Sequence, residues 1–280
     1  MFKRIVWLSL NGFIACGWMM VAHGWDARGH ELIGAIAYTQ LTPTTQQQVD
    51  ALIHAPDAVY PVRDFIAATT FADELKQQGV TIYNHWHYIS QPYATDGRRG
   101  RLPHSHHIVW AMERCQTLVS NTHLPAFTRG FFLRMLIHLV GDIHQPLHTI
   151  QVFSRAYPEG DLGGNRQRID HPLAINLHQL WDRAGGLYPQ QSLRHRQSLM
   201  VFAKQLQIDY PRQSIPHAVR PAHWARQSYF IAIKYGYPSD ALQTTPDARY
   251  LQQVQQIAGR QLVLAGDRLA DMLNQLFDAP

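Results

Sequence analysis

The segment Leu136-Ile-His138-Leu-Val-Gly-Asp142-Ile-His144-Gln-Pro-Leu-His148 constrains the fold more than any other. It has the apolar content of a buried helix, yet three imidazoles and a carboxylate interrupt it. Polar groups buried without partners cost several kcal/mol, so these residues need partners. His138 and Asp142 are four apart, which puts them on one helix face a turn from each other. Imidazole nitrogen and carboxylate oxygen both suit tetrahedral zinc, so metal is a better partner than a chance set of hydrogen bonds. Pro146 should end or kink the helix near Gln145, taking His148 off the helix axis toward a different metal.

Four further clusters carry the same residue types. Asn176-Leu-His178-Gln-Leu-Trp181-Asp182 repeats the His–Asp pair at four-residue spacing. Phe71-Ala72-Asp73-Glu74 offers Asp73, which could be a ligand but taken alone reads better as an exposed helix charge. Asn84-His85-Trp86-His87-Tyr88 reads as extended, so that His85 and His87 point the same way and both could bind one metal. The fifth is Trp25-Asp26-Ala27-Arg28-Gly29-His30. If Trp25 is the first residue of the processed chain, its α-amine and carbonyl can chelate a metal, with His30 adding a nitrogen.

That processing is itself an expectation from the sequence. Lys3 and Arg4, a mostly apolar run Ile5–Val21 and the small residues flanking His23 in Ala22-His23-Gly24 read as an export signal over residues 1–24. A lipid anchor on Cys16 fits less well, because the apolar run continues through Trp18-Met19-Met20. The expected product, residues 25–280, is exported to the periplasm or beyond, with no stable membrane anchor and no protein partner. Losing Lys3 and Arg4 takes the formal net charge from +5 to +3, too little to indicate a strong nonspecific grip on duplex DNA. Losing Cys16 leaves Cys115 alone, so no intramolecular disulfide forms and metal is the available staple.

Helical periodicity dominates and strand alternation is scarce, which predicts an all-α, single-domain fold. Helices are expected near 28–40, 43–54 (after the Thr42 cap), 62–78, 105–120, 126–143, 177–184, 190–207, 220–235 and 247–277. Two long loops, 88–103 and 152–172, flank the strongest clusters. Seventeen histidines in 280 residues are many, and the dispersal of the candidates over five segments argues against a repetitive metal-storage protein.

Taken in order, Trp25 with His30, Ala72-Asp73, His87-Tyr88, His138-x3-Asp142-x-His144-Gln-Pro-Leu-His148, Gly163-Gly164-Asn165 and Asn176-Leu-His178-x2-Trp181-Asp182 resemble the trinuclear-zinc single-strand nucleases of the phospholipase C / nuclease superfamily. The resemblance runs from Trp25 to Asp182. It implies three zinc ions and nine ligand residues. Asp73, His87, His138 and Asp142 would hold the first zinc, and His148, His178 and Asp182 the second. Trp25, His30 and the other oxygen of Asp142 would hold the third. It further implies that an activated water attacks phosphorus in line and the 3′ oxygen departs. Single-stranded DNA or RNA would give 5′-phosphate products, and 3′-nucleotides would also be substrates. Asp142 and Lys76 would be catalytic, Lys76 standing where the family usually has arginine, without arginine's two-pronged grip. Tyr88, Tyr93, Gly164 and Asn165 would contact an unpaired base. His144 would orient its neighbours, and His85 has no role. Ser90 stands where the family commonly has an acidic residue. The sister branch, zinc phospholipase C, typically ends its ligand set in glutamate, so Asp182 favours the nuclease branch.

Overall fold

The computed structural model describes residues 24–94, 96–212, 220–238 and 245–278. Ten α-helices and four short strands follow in order among them: α1 (Ala27–Tyr38), α2 (Pro43–His54), α3 (Phe65–Ala68), α4 (Phe71–Gln77), β1 (Gln91–Ala94), α5 (Ile108–Ser120), α6 (Ala126–Ile143), β2 (Ile150–Phe153), β3 (Arg168–His171), β4 (Ala174–Asn176), α7 (Leu177–Asp182), α8 (Arg196–Asp209), α9 (Pro221–Ile231) and α10 (Ala248–Phe277). The architecture is all-α, as the periodicity predicts. Except for Gly24, the expected export signal lies outside the described residues. No helix among the described residues is long and apolar enough to cross a membrane.

Helix α6 is the centre of the molecule. Every residue from Leu133 to Ile143 is buried, which accounts for apolar residues on all its faces. Helix α5 packs along it, while α1 lies against α10 and α8. Helix α10 presents Val254, Ala258, Leu262, Ala265, Leu269 and Leu273 at helical spacing as one buried stripe. A second apolar cluster gathers Leu147, Ile150, Leu177, Leu180, Trp181 and Val254. The chain passes from the first cluster to the second between Ile143 and Leu147, and the polar residues His144, Gln145 and His148 occupy that seam.

The caps follow local chemistry. Asp26 accepts hydrogen bonds from the amides of Arg28 and Gly29 at the start of α1. Thr42 accepts from Thr45 N ahead of Pro43, the first residue of α2. Helix α6 ends at Ile143, and Pro146 opens a short 3-10 turn (Pro146–Thr149), as the proline predicts.

The structure corrects three expectations. The predicted 62–78 helix is two helices, broken at Thr69 and Thr70. Their hydroxyls donate to Ile66 O (2.6 Å) and Ala67 O (2.9 Å), competing with the helical ladder. Residues 84–87 form a 3-10 turn instead of an extended segment, so His87 is buried while His85 is exposed. The two long loops hide strands. β1 pairs in parallel with β2 (Tyr93 opposite Val152), and β3 forms an antiparallel hairpin with β4. A parallel partner nearly sixty residues away leaves no local pattern to read.

Candidate metal centre

Seven side chains from five segments converge on the seam. His138 and Asp142 come from α6, Asp73 from α4, His87 from the 84–87 turn, His148 from the 146–149 turn, and His178 and Asp182 from α7. His30 of α1 joins them. All eight are buried. Their ligand atoms form three groups, each tight enough to surround one cation: Asp73/His87/His138, His30/His138/Asp142 and His148/His178/Asp182.

In the first region, Asp142 Oδ2 lies 2.9 Å from His87 Nδ1 and 3.1 Å from His138 Nε2. Asp73 Oδ1 is 3.8 Å from each of those nitrogens. The other Asp142 oxygen, Oδ1, faces His30 Nε2 at 3.3 Å, though neither atom has a well-aligned hydrogen bond. One carboxylate thus turns a different oxygen to each of two groups. In the third group, His178 Nε2 is 3.2 Å from His148 Nε2 and 3.6 Å from Asp182 Oδ1.

The backbone decides which nitrogen of each ring faces inward. His138 Nδ1 donates to Thr69 O (2.8 Å), the carbonyl exposed by the break between α3 and α4. His148 Nδ1 donates to His87 O (2.7 Å), and His178 Nδ1 donates to Gly163 O (2.7 Å). With Nδ1 bonded to a carbonyl, each ring turns Nε2 into the centre, the nitrogen that offers a lone pair once the ring is neutral. The Nε2 atoms of His148 and His178 face each other at 3.2 Å. A cation between them could be ligated by both, and the donor set of imidazoles and carboxylates fits zinc.

The electrostatics agree with that fit. Burial pushes Asp142 upward, but the His138 charge and hydrogen bonds from the surrounding imidazoles hold its carboxyl well below the usual range. Burial pulls His138 down, and the Asp142 and Asp73 carboxylates more than reverse this, lifting it to about 9. Burial drives Asp182 well above the carboxylate range, aided by the charges of Asp26, Asp73 and Asp142 and opposed by a hydrogen bond from Gln145. The neighbouring carboxylates thus oppose ionisation of Asp182, a repulsion that a bound cation would offset.

Residues 25–278 match the S1/P1 Nuclease family. The chain belongs to the S1/P1 nuclease family. It is 32% identical to Endonuclease 5 of Arabidopsis thaliana over 162 residues, 52% of this chain and 51% of that one. The match to Endonuclease 4 of Arabidopsis thaliana is 24% identical and covers 91% of this chain and 90% of that one. The match to Nuclease S1 of Aspergillus oryzae is 22% identical over 174 residues, 58% of this chain and 54% of the relative. The chain thus spans about half the length of several curated relatives it matches.

Among the S1/P1-family residues singled out from sequence, Trp25 is fully buried, and Asp26 N donates to Asp182 O (2.9 Å), which holds this segment beside the centre. The Gly24 backbone runs so close that a Cβ there would lie 1.6 Å from Asp142 Oδ1 and 2.9 Å from His30 Nε2. A cleft of about 620 Å³ opens over His148 and His178, and Lys76, Tyr88, Ser90 and Asn165 line it. Gly163 lines it too, while its neighbour Gly164 packs toward Leu147 and Leu177. Tyr93 packs against the second apolar cluster. His144 is buried away from the three groups, donating through Nδ1 to Val140 O (2.7 Å) and accepting from Arg268 (2.8 Å).

Four supporting residues escape the sequence reading. Gln145 donates to Asp182 Oδ1 at 2.7 Å. Arg166 adds positive charge to the cleft wall, where Arg101 is paired with Glu159. Asp161 clamps the glycine turn, accepting from Val152 N (2.8 Å), Gly163 N (3.1 Å) and Gly164 N (2.9 Å). Gly163 has φ +59, and a Cβ there would lie 2.4 Å from Leu147 O, so only glycine delivers its carbonyl to His178. An aspartate two residues before a glycine pair is a turn signal that sequence alone offers.

Proposed function

We propose that this chain is an exported zinc-dependent endonuclease that hydrolyses single-stranded DNA and RNA to 5′-phosphate products and also removes phosphate from 3′-nucleotides. One observation carries the reading. Imidazoles fixed by backbone carbonyls turn their lone pairs toward one another and toward shared carboxylates in three buried groups.

Asp73, His87, His138 and Asp142 would hold one zinc, and His148, His178 and Asp182 a second. A third would sit between Asp142 Oδ1, His30 and the amine and carbonyl of Trp25. The two atoms there that lack aligned hydrogen-bond partners, Asp142 Oδ1 and His30 Nε2, support that assignment. Removal of residues 1–24 would give Trp25 its free amine and would lift the Gly24 backbone off Asp142. Bound zinc ions supply Lewis-acid stabilisation of phosphate oxygens and bring the ionisation of water toward neutral pH.

The protein's own residues do the rest. Thr69, His87 and Gly163 carbonyls orient the rings. Gln145 orients Asp182. Lys76 lies on the cleft wall within the fields of Asp73, Asp142 and Asp182. Its ammonium stabilises charge gathering on the phosphate as the bond to the 3′ oxygen breaks. Tyr88 and Asn165 receive the unpaired base, as stacking surface and hydrogen-bonding edge. An open single-sided cleft with an aromatic wall suits an unstacked base better than a paired one.

The deciding assay offers single-stranded DNA, RNA, a 3′-nucleotide and phosphatidylcholine to the exported protein, with and without chelator. The expected result is cleavage of the first three, abolished by chelator and restored by zinc, with no action on the lipid. Lipid hydrolysis, or nuclease activity indifferent to chelator, would overturn the assignment.

A further inference from the structure

One wall of the cleft continues outward as a ladder of rings that the metal centre does not use. The Tyr88 hydroxyl meets His85 Nδ1 at 3.1 Å, and both residues line the cleft. His85 stacks on His104, with centroids 4.1 Å apart and planes within 8°. His104 meets His106 edge-on at 5.6 Å, and His106 leans on Trp110 of α5 at 4.4 Å. Arg114, one turn further along α5, sits over the Trp110 ring at 5.8 Å. His85, His104, His106 and Arg114 are all exposed, so burial does not explain their assembly. Trp110 is half-buried and rests edge-on against Trp86, which packs on Phe132. The ladder is thereby fixed to the core rather than free to collapse.

We propose that this ladder is an extended binding track for the unpaired stretch of the nucleic acid beyond the scissile bond, with bases stacking along His104, His106 and Trp110 and a phosphate meeting Arg114. Three features select that occupant. The track is continuous with the cleft through His85 and His104. Its rings are of the kind on which any base stacks whatever its identity. It ends on a cation whose charge complements a phosphate backbone. A single-nucleotide substrate would not reach it, so its contribution grows with substrate length. The inference rests on the nuclease reading above.

The test compares a long oligodeoxythymidylate with a dinucleoside monophosphate, using wild type, the double variant His106→Ala/Arg114→Ala, and His106→Phe. Neither position lines the cleft. The double variant should raise KM for the long substrate roughly tenfold, the loss expected for about one stacked base, with kcat held. Both constants for the dinucleotide should stay unchanged. His106→Phe should keep the wild-type KM, which a role in imidazole charge or hydrogen bonding does not predict. An unchanged KM for the long substrate, or an equal loss on both substrates, overturns the track while leaving the nuclease reading intact. Failure of wild type to cleave either substrate overturns both.

Discussion

Replacing Gln145 with leucine tests how the second group is built. Gln145 is fully buried and makes two bonds: its amide donates to Asp182 Oδ1 (2.7 Å), and its carbonyl oxygen accepts from Leu147 N (2.6 Å). The first is a bond to a carboxylate, worth about 1.5–3 kcal/mol. The second caps the 146–149 turn and is worth about 1 kcal/mol. Leucine keeps the bulk and removes both, so the metal-free fold should lose roughly 2.5–4 kcal/mol. Metal binding responds separately. Burial already holds Asp182 well above its ordinary range, and the Gln145 bond is what opposes this. Without it Asp182 keeps its proton to higher pH, and a cation must displace that proton. Affinity at His148/His178/Asp182 should fall about 10–100-fold, the usual penalty for losing a partner that orients a ligand. The fall should steepen as the pH drops. Zinc titration against a chromophoric chelator, with the other two groups filled, reads it directly. Wild-type affinity in Gln145→Leu at both neutral and mildly acidic pH would refute the argument that Gln145 holds Asp182 ready for metal.

Other outcomes follow from the same geometry. Asp142→Asn should cost more than one metal per chain and lower activity by at least about a thousandfold, because one carboxylate serves two groups; loss of a single ion in metal analysis would contradict this. His138, lifted to about 9, is protonated in the metal-free protein at neutral pH and must deprotonate to bind. Zinc binding should therefore release protons, and affinity should rise with pH until about 9, as calorimetry in buffers of different ionisation enthalpy will report. Chelation should lower the thermal midpoint by about 8–16 °C per site, for metal held at about a thousand times its Kd; scanning calorimetry checks it. Lys76→Met should reduce kcat about 10–100-fold with little change in KM, while Lys76→Arg keeps most of the activity; equal kcat for wild type and Lys76→Met would remove Lys76 from the chemistry.

Much of this was legible in the chain. The His138/Asp142 and His178/Asp182 spacings fix neighbours within a helix, and Pro146 marks the turn that carries His148, so local geometry sufficed there. The all-α class followed from periodicity, and Thr42 ahead of Pro43 announced a helix start. What stayed hidden depends on distant partners. The break at Thr69 arises from two hydroxyls choosing backbone carbonyls over the helical ladder, and its use becomes visible only when His138 is seen to bond the exposed carbonyl. The β1–β2 pairing joins segments with unrelated local patterns. The 84–87 turn, read as extended, separates His85 from His87, and the ring that lost a ligand role instead begins the exposed ladder. Gln145 was invisible because it is not a metal-ligand type and acts through Asp182. Asp161 offered a turn signal, but its link to His178 through the Gly163 carbonyl appears only in the fold.

The most direct test is anomalous diffraction at the zinc edge from crystals of the exported protein. Three peaks should appear: one among Asp73, His87, His138 and Asp142, one among His148, His178 and Asp182, and one joining Asp142, His30 and the amine of Trp25. Density that leaves the facing nitrogens of His148 and His178 without a metal, or that places zinc only elsewhere on the molecule, would contradict the account.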